Sequence, residues 1–289
     1  MNSERLSKSE IIFKIFAYLL VTIFAILCLY PLIYAFSVSI SGKVAYESGS
    51  IVLWPKDLTI QAYRMVILDK GIWISYINTL FYTVFGTVWS MFISLTGAYA
   101  LSKDKLMGKR KWNFFLVFTM WFTAGMIPQY LNYKSLGVDN KWGMVVAFGV
   151  QAYNIILLRN AFSAVPKEIE EAATIDGANE FQVFSRVYIP MSGASIATVT
   201  LFYAISRWNG YYWQRMLLKD SNEQALQVYL RTLIENYQKL YDESAVVLPY
   251  AADSLVYAII ICSIIPVLIV YPYIQKYFAR GVNLGGVKG

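Results

Sequence analysis

The chain has 289 residues, of which 57% are hydrophobic, 17% aromatic and 15% charged, with a net charge of +7. A soluble domain carries about 25% charged residues, so this composition excludes an ordinary water-soluble globule, and 23 Tyr with 8 Trp suit a protein that lines two wet interfaces with amphipathic rings. There is no His, which excludes a His metal ligand and a His general base; the positive balance reads as basic loops beside a membrane, not as a nucleic-acid surface.

In chain order, six apolar runs are predicted to span a bilayer: 15–37, 71–101, 112–133, 142–158 (continuing past Arg159 to Val165), 187–206 and 254–275. About 20 apolar residues at 1.5 Å each cross a hydrocarbon core of roughly 30 Å. Only helices satisfy the backbone of such runs in lipid, so the predicted fold class is an all-α polytopic membrane protein. The first run is too long for a cleavable signal peptide, and no small-residue cleavage pattern follows it. Cys28 and Cys262 sit inside apolar runs far apart, where the expectation is two small buried hydrophobes and neither a disulfide nor a metal site.

Orientation follows from the short loops. Between the second and third runs, Lys103, Lys105, Lys109, Arg110 and Lys111 outweigh Asp104, which places this loop in the cytoplasm. With six spans, both termini share that side, and so does the net acidic insert between the fourth and fifth runs.

That insert, "EEAATIDGANEFQVFSRVYIPMS" from Glu170 to Ser192, reads as two short helices. Pro166 suits a first helical turn. Glu168, Glu170 and Glu171 favour the positive end of the helix dipole, and Gly177 is placed to end the helix. Asn179 and Gln182 form a capping pair for the second helix, on which Phe181, Phe184, Val187 and Tyr188 share a face at three- and four-residue steps. Pro190 marks the entry to the next span. An amphipathic helix resting on lipid is the plainer reading, but such helices favour Lys and Arg on the polar face. An acidic one is better suited to a protein groove.

At this point the residues carry a resemblance. Glu171-Ala172-Ala173, then Gly177, then Val187-x-Ile189-Pro190 resembles the EAA loop of permease subunits in bacterial binding-protein-dependent ABC importers. With Asp176 and Ala178, "EEAATIDGA" is similar to the carbohydrate-uptake branch. The segments "YPLIYAFSVSIS", "NTLFYTVFGT", "GAYALSKDKLMGKRKW", "FTAGMIPQYL", "RWNGYYW" and "YPYIQKYFARGVNLGGVKG" look like one subgroup of oligosaccharide permeases, whose sugars often contain uronates. The resemblance runs nearly end to end.

What it implies is a six-helix type I permease, similar to the smaller subunit of the maltose importer, in the bacterial inner or plasma membrane. Residues 1–70 would hold the N-terminal segment, first span and first external loop, and residues 71–289 the permease core with a coupling loop at 164–189. The implied partners are a second homologous permease, two cytoplasmic ATP-binding subunits and an extracytoplasmic sugar-binding protein. An oligosaccharide, in the subgroup's case an acidic one, would be the substrate. The chain itself would need no cofactor, because ATP and Mg would be bound by the partner subunits. Glu170, Glu171, Ala172, Ala173, Asp176, Gly177, Ala178, Phe181 and Pro190 would form the ATPase-coupling element. An importer for a peptide or amino acid would share the loop, and the carbohydrate-type motif argues against it.

Two other classes fit less well. No phosphate-binding G-x-x-x-x-G-K-[ST] is present, and "SGKVAYES" lacks the leading Gly and the strand context; an enzyme such as a membrane glycosyl transferase has no catalytic set to draw on. A secondary transporter would need an ionisable residue deep in a span, whereas Arg159 and Arg207 lie near span ends.

For the substrate path, the fifth run ends in "RWNGYYWQR". Arg207, Trp208, Asn209, Tyr211, Tyr212 and Trp213 supply rings that can stack on sugar faces and polar groups that can bind hydroxyls or carboxylates. The same rings suit an interfacial belt, and both readings stay open here. Gln151, Asn154 and Asn78 either line the path or bond between helices. Gly125 and Pro128 predict a bent third span.

Overall fold

The computed structural model describes residues 7–243 and 252–281. Its described elements are helices in the order α1 (Lys8–Ser39), α2 (Lys43–Glu47), α3 (Gln61–Leu68), α4 (Lys70–Ser102), α5 (Lys109–Trp121), α6 (Met126–Ser135), α7 (Lys141–Ala147), α8 (Ala152–Ser163), α9 (Lys167–Ile175) and α10 (Glu180–Val183). A π-helical turn (Phe184–Tyr188) leads into α11 (Ile189–Met191), followed by α12 (Gly193–Trp208), α13 (Tyr212–Leu217), α14 (Leu226–Glu243) and α15 (Ala252–Gly281). The tail motif beyond residue 281 lies outside the described residues.

Among the described residues, three apolar helical stretches are long enough to cross a membrane unbroken: Lys8–Ser39, Lys70–Ser102 and Asp253–Pro272. Three more pass only as bent pairs, α5 with α6 at 116°, α7 with α8 at 48°, and Glu180–Met191 with Gly193–Leu217 at 84°. The first break explains itself from sequence: Gly125 has φ 83°, and Pro128 sits in the first turn of α6, where its missing N–H is harmless. The expected bend in the third span is thus a full break. The fifth run also starts later than its apolar composition suggests. Residues 187–191 belong to the π turn and α11, Pro190 is the second residue of α11, and the long helix begins only at Gly193 after Ser192.

The chain divides into two compact units, one of residues up to Asp69 with Leu233–Ile265 and one of Lys70–Thr232 with Pro266 onward. In the first unit, Ser7 and Glu10 close a capping box at the start of α1. The far end of that helix is fastened by buried serines: Ser37 Oγ donates to the Leu53 carbonyl at 2.5 Å, and Ser39 and Tyr63 pair their hydroxyls at 2.8 Å. Between these ends α1 exposes nearly every apolar side chain, as a helix does when its solvent is lipid. That corrects the reading of Cys28, which is exposed on α1, while Cys262 is half-buried.

In the second unit α4 is the central post, packed by α12, α8 and α7. One core joins Met91 and Ala98 of α4 to Leu158 and Phe162 of α8, Val199 and Tyr203 of α12, and Val183 and Tyr188 of the insert. A second gathers Tyr82, Val138, Met144, Val145, Leu217 and Ala225. Polar groups on α4 do the pinning: Asn78 donates to the carbonyls of Asn222 (2.6 Å) and Gln224 and accepts from Lys141 Nζ at 2.7 Å, and Ser94 pairs with Tyr203 at 2.7 Å. Asn78 is therefore interhelical glue. The amphipathic α14 had no sequence forecast, and it docks through buried Leu226, Val228 and Leu230.

Candidate functional site

The 164–189 insert folds as the two-helix projection predicted for it. Pro166 is the N-cap of α9 with ψ 132°, one residue ahead of the expected first-turn position. At the other end, Gly177 takes φ 83°, its N–H bonds the Thr174 carbonyl, and Ala178 N–H bonds the Ala173 carbonyl. This is the Schellman arrangement that lets the last carbonyls find partners. Asn179 and Gln182 then cap α10 reciprocally.

The expected shared face is split. Tyr188 is buried, and Phe184, Val187, Ala173 and Ala178 pack behind it, but Phe181 points outward with 75% of its surface exposed. The π turn at 184–188 inserts an extra residue per turn and rotates Phe184–Tyr188 away from the Phe181 register. Phe181 is joined on the outside by Ile175, 86% exposed, which the sequence reading did not single out. Glu171, Ala172, Asp176, Gly177 and Pro190 are exposed too.

Glu170 behaves differently from Glu171. Its carboxylate turns inward, with Oε1 2.5 Å from Lys103 Nζ and Oε2 accepting from the Tyr188 hydroxyl. The Lys103 ammonium also lies 4.4 Å from the Tyr99 ring centre and 4.3 Å from that of Tyr188, a cation–π box. Burial pushes the Glu170 carboxyl up, but the hydrogen bonds from Lys103 and Tyr188 and the charge of Lys103 outweigh it and hold the group below its ordinary value. Beside this pair, Lys167 and Lys109 reach Asp104 at 2.5 and 2.9 Å and hold its carboxyl at about 2. Together these groups line a cavity of about 820 Å³ between the 102–109 loop and α9. Read from sequence, Lys103 and Asp104 counted only as topology charges; nothing local pairs them with residues beyond 160.

The second feature is a cleft of about 230 Å³ at the end of α12, lined in part by Phe148, Gln151, Ser206, Tyr211, Tyr212 and Trp213. Trp213 stands edge-on to Tyr133 and Tyr212. The lining also includes Arg207 and Gln214 and contains no carboxylate. Three of the sequence candidates stand elsewhere. Trp208 is 7% exposed and packs its edge on Tyr76, Asn154 is buried with its amide on Gln151 Oε1, and Asn209 is exposed outside the lining. The Arg207 guanidinium is not free, since it donates to the carbonyls of Met144 (2.8 Å), Val145 (3.1 Å) and Phe148 (2.7 Å) and to Ser90 Oγ (3.3 Å).

Residues 72–284 match the family described as binding-protein-dependent transport system inner membrane component. The chain belongs to that family. This permease is 37% identical over 282 residues to the polygalacturonan/rhamnogalacturonan transport system permease protein YtcP of Bacillus subtilis (strain 168), covering 96% of this chain and 99% of that one. It is 34% identical to protein LplC of the same organism, over 90% and 89% of the two chains. Among solved structures, it superposes with TM-score 0.86 and 46% identity on a chain from the crystal structure of a bacterial ABC transporter involved in the import of the acidic polysaccharide alginate. That match covers 96% of this permease and 100% of the other chain. The permease thus has the type I ABC importer permease fold and is an inner-membrane component of such a system.

Proposed function

We propose that this permease carries an acidic, uronate-containing oligosaccharide across the membrane as one half of an ATP-driven importer. The observation that carries this reading is the 46% identity, over 96% of the chain, to a component of an alginate importer. The cleft agrees with it in kind: rings for sugar faces, amides and hydroxyls for sugar oxygens, and no carboxylate to repel an anionic sugar.

In this reading each bent pair counts as one crossing, giving six spans with both termini on the cytoplasmic side. A second, homologous permease completes the pathway, and an extracytoplasmic binding protein delivers the sugar. Two cytoplasmic subunits bind ATP and Mg and grip the α9–α10 projection, with Glu171, Asp176 and Phe181 on its outer side. Closure of those subunits then rocks the permease pair between two packed arrangements.

The test is uptake by the whole reconstituted importer. Labelled oligogalacturonates or oligoalginates should be transported and should compete with one another, while neutral maltodextrins and arabino-oligosaccharides should not compete. Transport of neutral sugars in preference to every acidic one overturns the substrate assignment.

A further inference from the structure

The break between α7 and α8 leaves a membrane-buried problem. A helix ending at Ala147 strands its last carbonyls, and in lipid an unmet carbonyl has no water to turn to. The Phe148 and Gly149 N–H groups both turn to Val146, so Met144 and Val145 gain nothing from them. Arg207, arriving from α12, supplies the missing donors to Met144, Val145 and Phe148 at once. A planar guanidinium with five N–H groups suits three convergent carbonyls, and its charge faces the negative end of α7. Trp89 of α4 adds a bond to Val146 at 3.3 Å.

Both reaching side chains pass through glycine gaps. A Cβ on Gly86 would fall 2.8 Å from Arg207 Nε and 3.0 Å from Cζ, and one on Gly149 would fall 2.8 Å from the Trp89 ring. Neither glycine has a positive φ, so what these two positions require is space and not backbone freedom. Among the described residues no carboxylate pairs with Arg207.

We propose that Arg207 is a positioning residue for transport: seated over Gly86, it caps the broken end of α7 and so fixes the wall of the ring-lined cleft, and it does not pair with the carboxylates of the sugar. The wall in question is Met144, Phe148 and Gln151, which the break presents to the cleft. The proposal takes from the functional reading only that this cleft lies on the sugar's path.

The experiment uses the assembled importer carrying Arg207→Lys, Arg207→Met or Gly86→Ala, with uptake measured for a uronate oligosaccharide and for its uncharged methyl ester. Lys keeps the charge but cannot reach three carbonyls with a planar fork. Gly86→Ala leaves Arg207 in the sequence and displaces it. A cap predicts that all three variants lose uptake by about tenfold or more, by the same factor for the acid and the ester, and that Gly86→Ala combined with Arg207→Lys is no worse than either alone. Uptake is normalised to complex recovered, and if Arg207→Met fails to assemble, the Lys and Ala variants decide. Near-normal uptake by Arg207→Lys with loss confined to the acid in Arg207→Met overturns the proposal in favour of direct ion pairing, and wild-type uptake by Gly86→Ala overturns it as well. If the wild-type importer instead carries only neutral sugars, the acidic-substrate reading fails separately, and the same variants are compared on the sugar it does carry.

Discussion

The Lys103 ammonium and the Glu170 carboxylate meet at 2.5 Å, tying the basic loop after α4 to the first helix of the acidic projection. The two residues are far apart in sequence, and the Lys167–Asp104 pair ties the same loop to the same helix a second time. The pair thus joins α9 to a loop that follows directly on α4, the central post of the permease core.

Glu170→Gln should weaken that tie. The folded carboxyl lies below its ordinary 4.5, so the pair stabilises the fold fully above that pH, and its contribution is lost as pH falls through the lowered folded value. Thermal unfolding of the purified complex should show the variant less stable than the parent by about 1 kcal/mol at neutral pH. The gap should close in acid. A difference that is constant from neutral to acid pH would remove the pair from the stability of the fold.

Gly177→Val places a β-branched side chain at φ 83°, which costs on the order of 1 kcal/mol or more in the backbone alone. No atom lies within 4 Å of a Cβ there, so inside this chain the cost is conformational. The expected outcome is a misdirected projection: less ATPase subunit retained in a pull-down and lower sugar-stimulated hydrolysis. Wild-type values in both assays would return the projection to the role of a surface helix.

Phe181→Ala and Ile175→Ala remove side chains that bury little in this chain. Stability of the permease should change by about 0.5 kcal/mol or less, while retention of the ATPase subunits falls. Equal loss of stability and retention would mean the two side chains support the projection itself.

Trp208 and Tyr212 should separate. Trp208→Ala empties a buried site against Tyr76 and should cost roughly 3–5 kcal/mol, seen as poor recovery of the complex. Tyr212→Ala, at the exposed edge of the cleft, should assemble normally and raise the KM for uptake. Normal recovery of Trp208→Ala with impaired uptake would put that ring on the sugar's path after all.

What sequence could reach was set by how local each cause is. Gly177 and the Asn179–Gln182 pair were legible because a helix stop and a capping box are written within a few residues. Gly125 announced a bend for the same reason, though not its size. The break after α7 was illegible because the donors that meet its carbonyls, on Arg207, lie on another helix, and the apolar run across it looks continuous. Phe181 was grouped on one face with Phe184, Val187 and Tyr188 because the three- and four-residue rule assumes α geometry, and the π turn breaks that count. Trp208 and Tyr212 both carry aromatic rings in the same motif, and it is packing that separates their roles.

Gly86 and Arg207 are in effect one part encoded at two addresses, since the space left empty at the first is filled by the second. That makes tolerance conditional: the glycine is compulsory only while the arginine is present. In a library randomised at both positions and selected for uptake, Ala and Ser at 86 should survive only alongside a shorter residue at 207 and a compensating donor for the α7 carbonyls. Glycine alone should accompany Arg207.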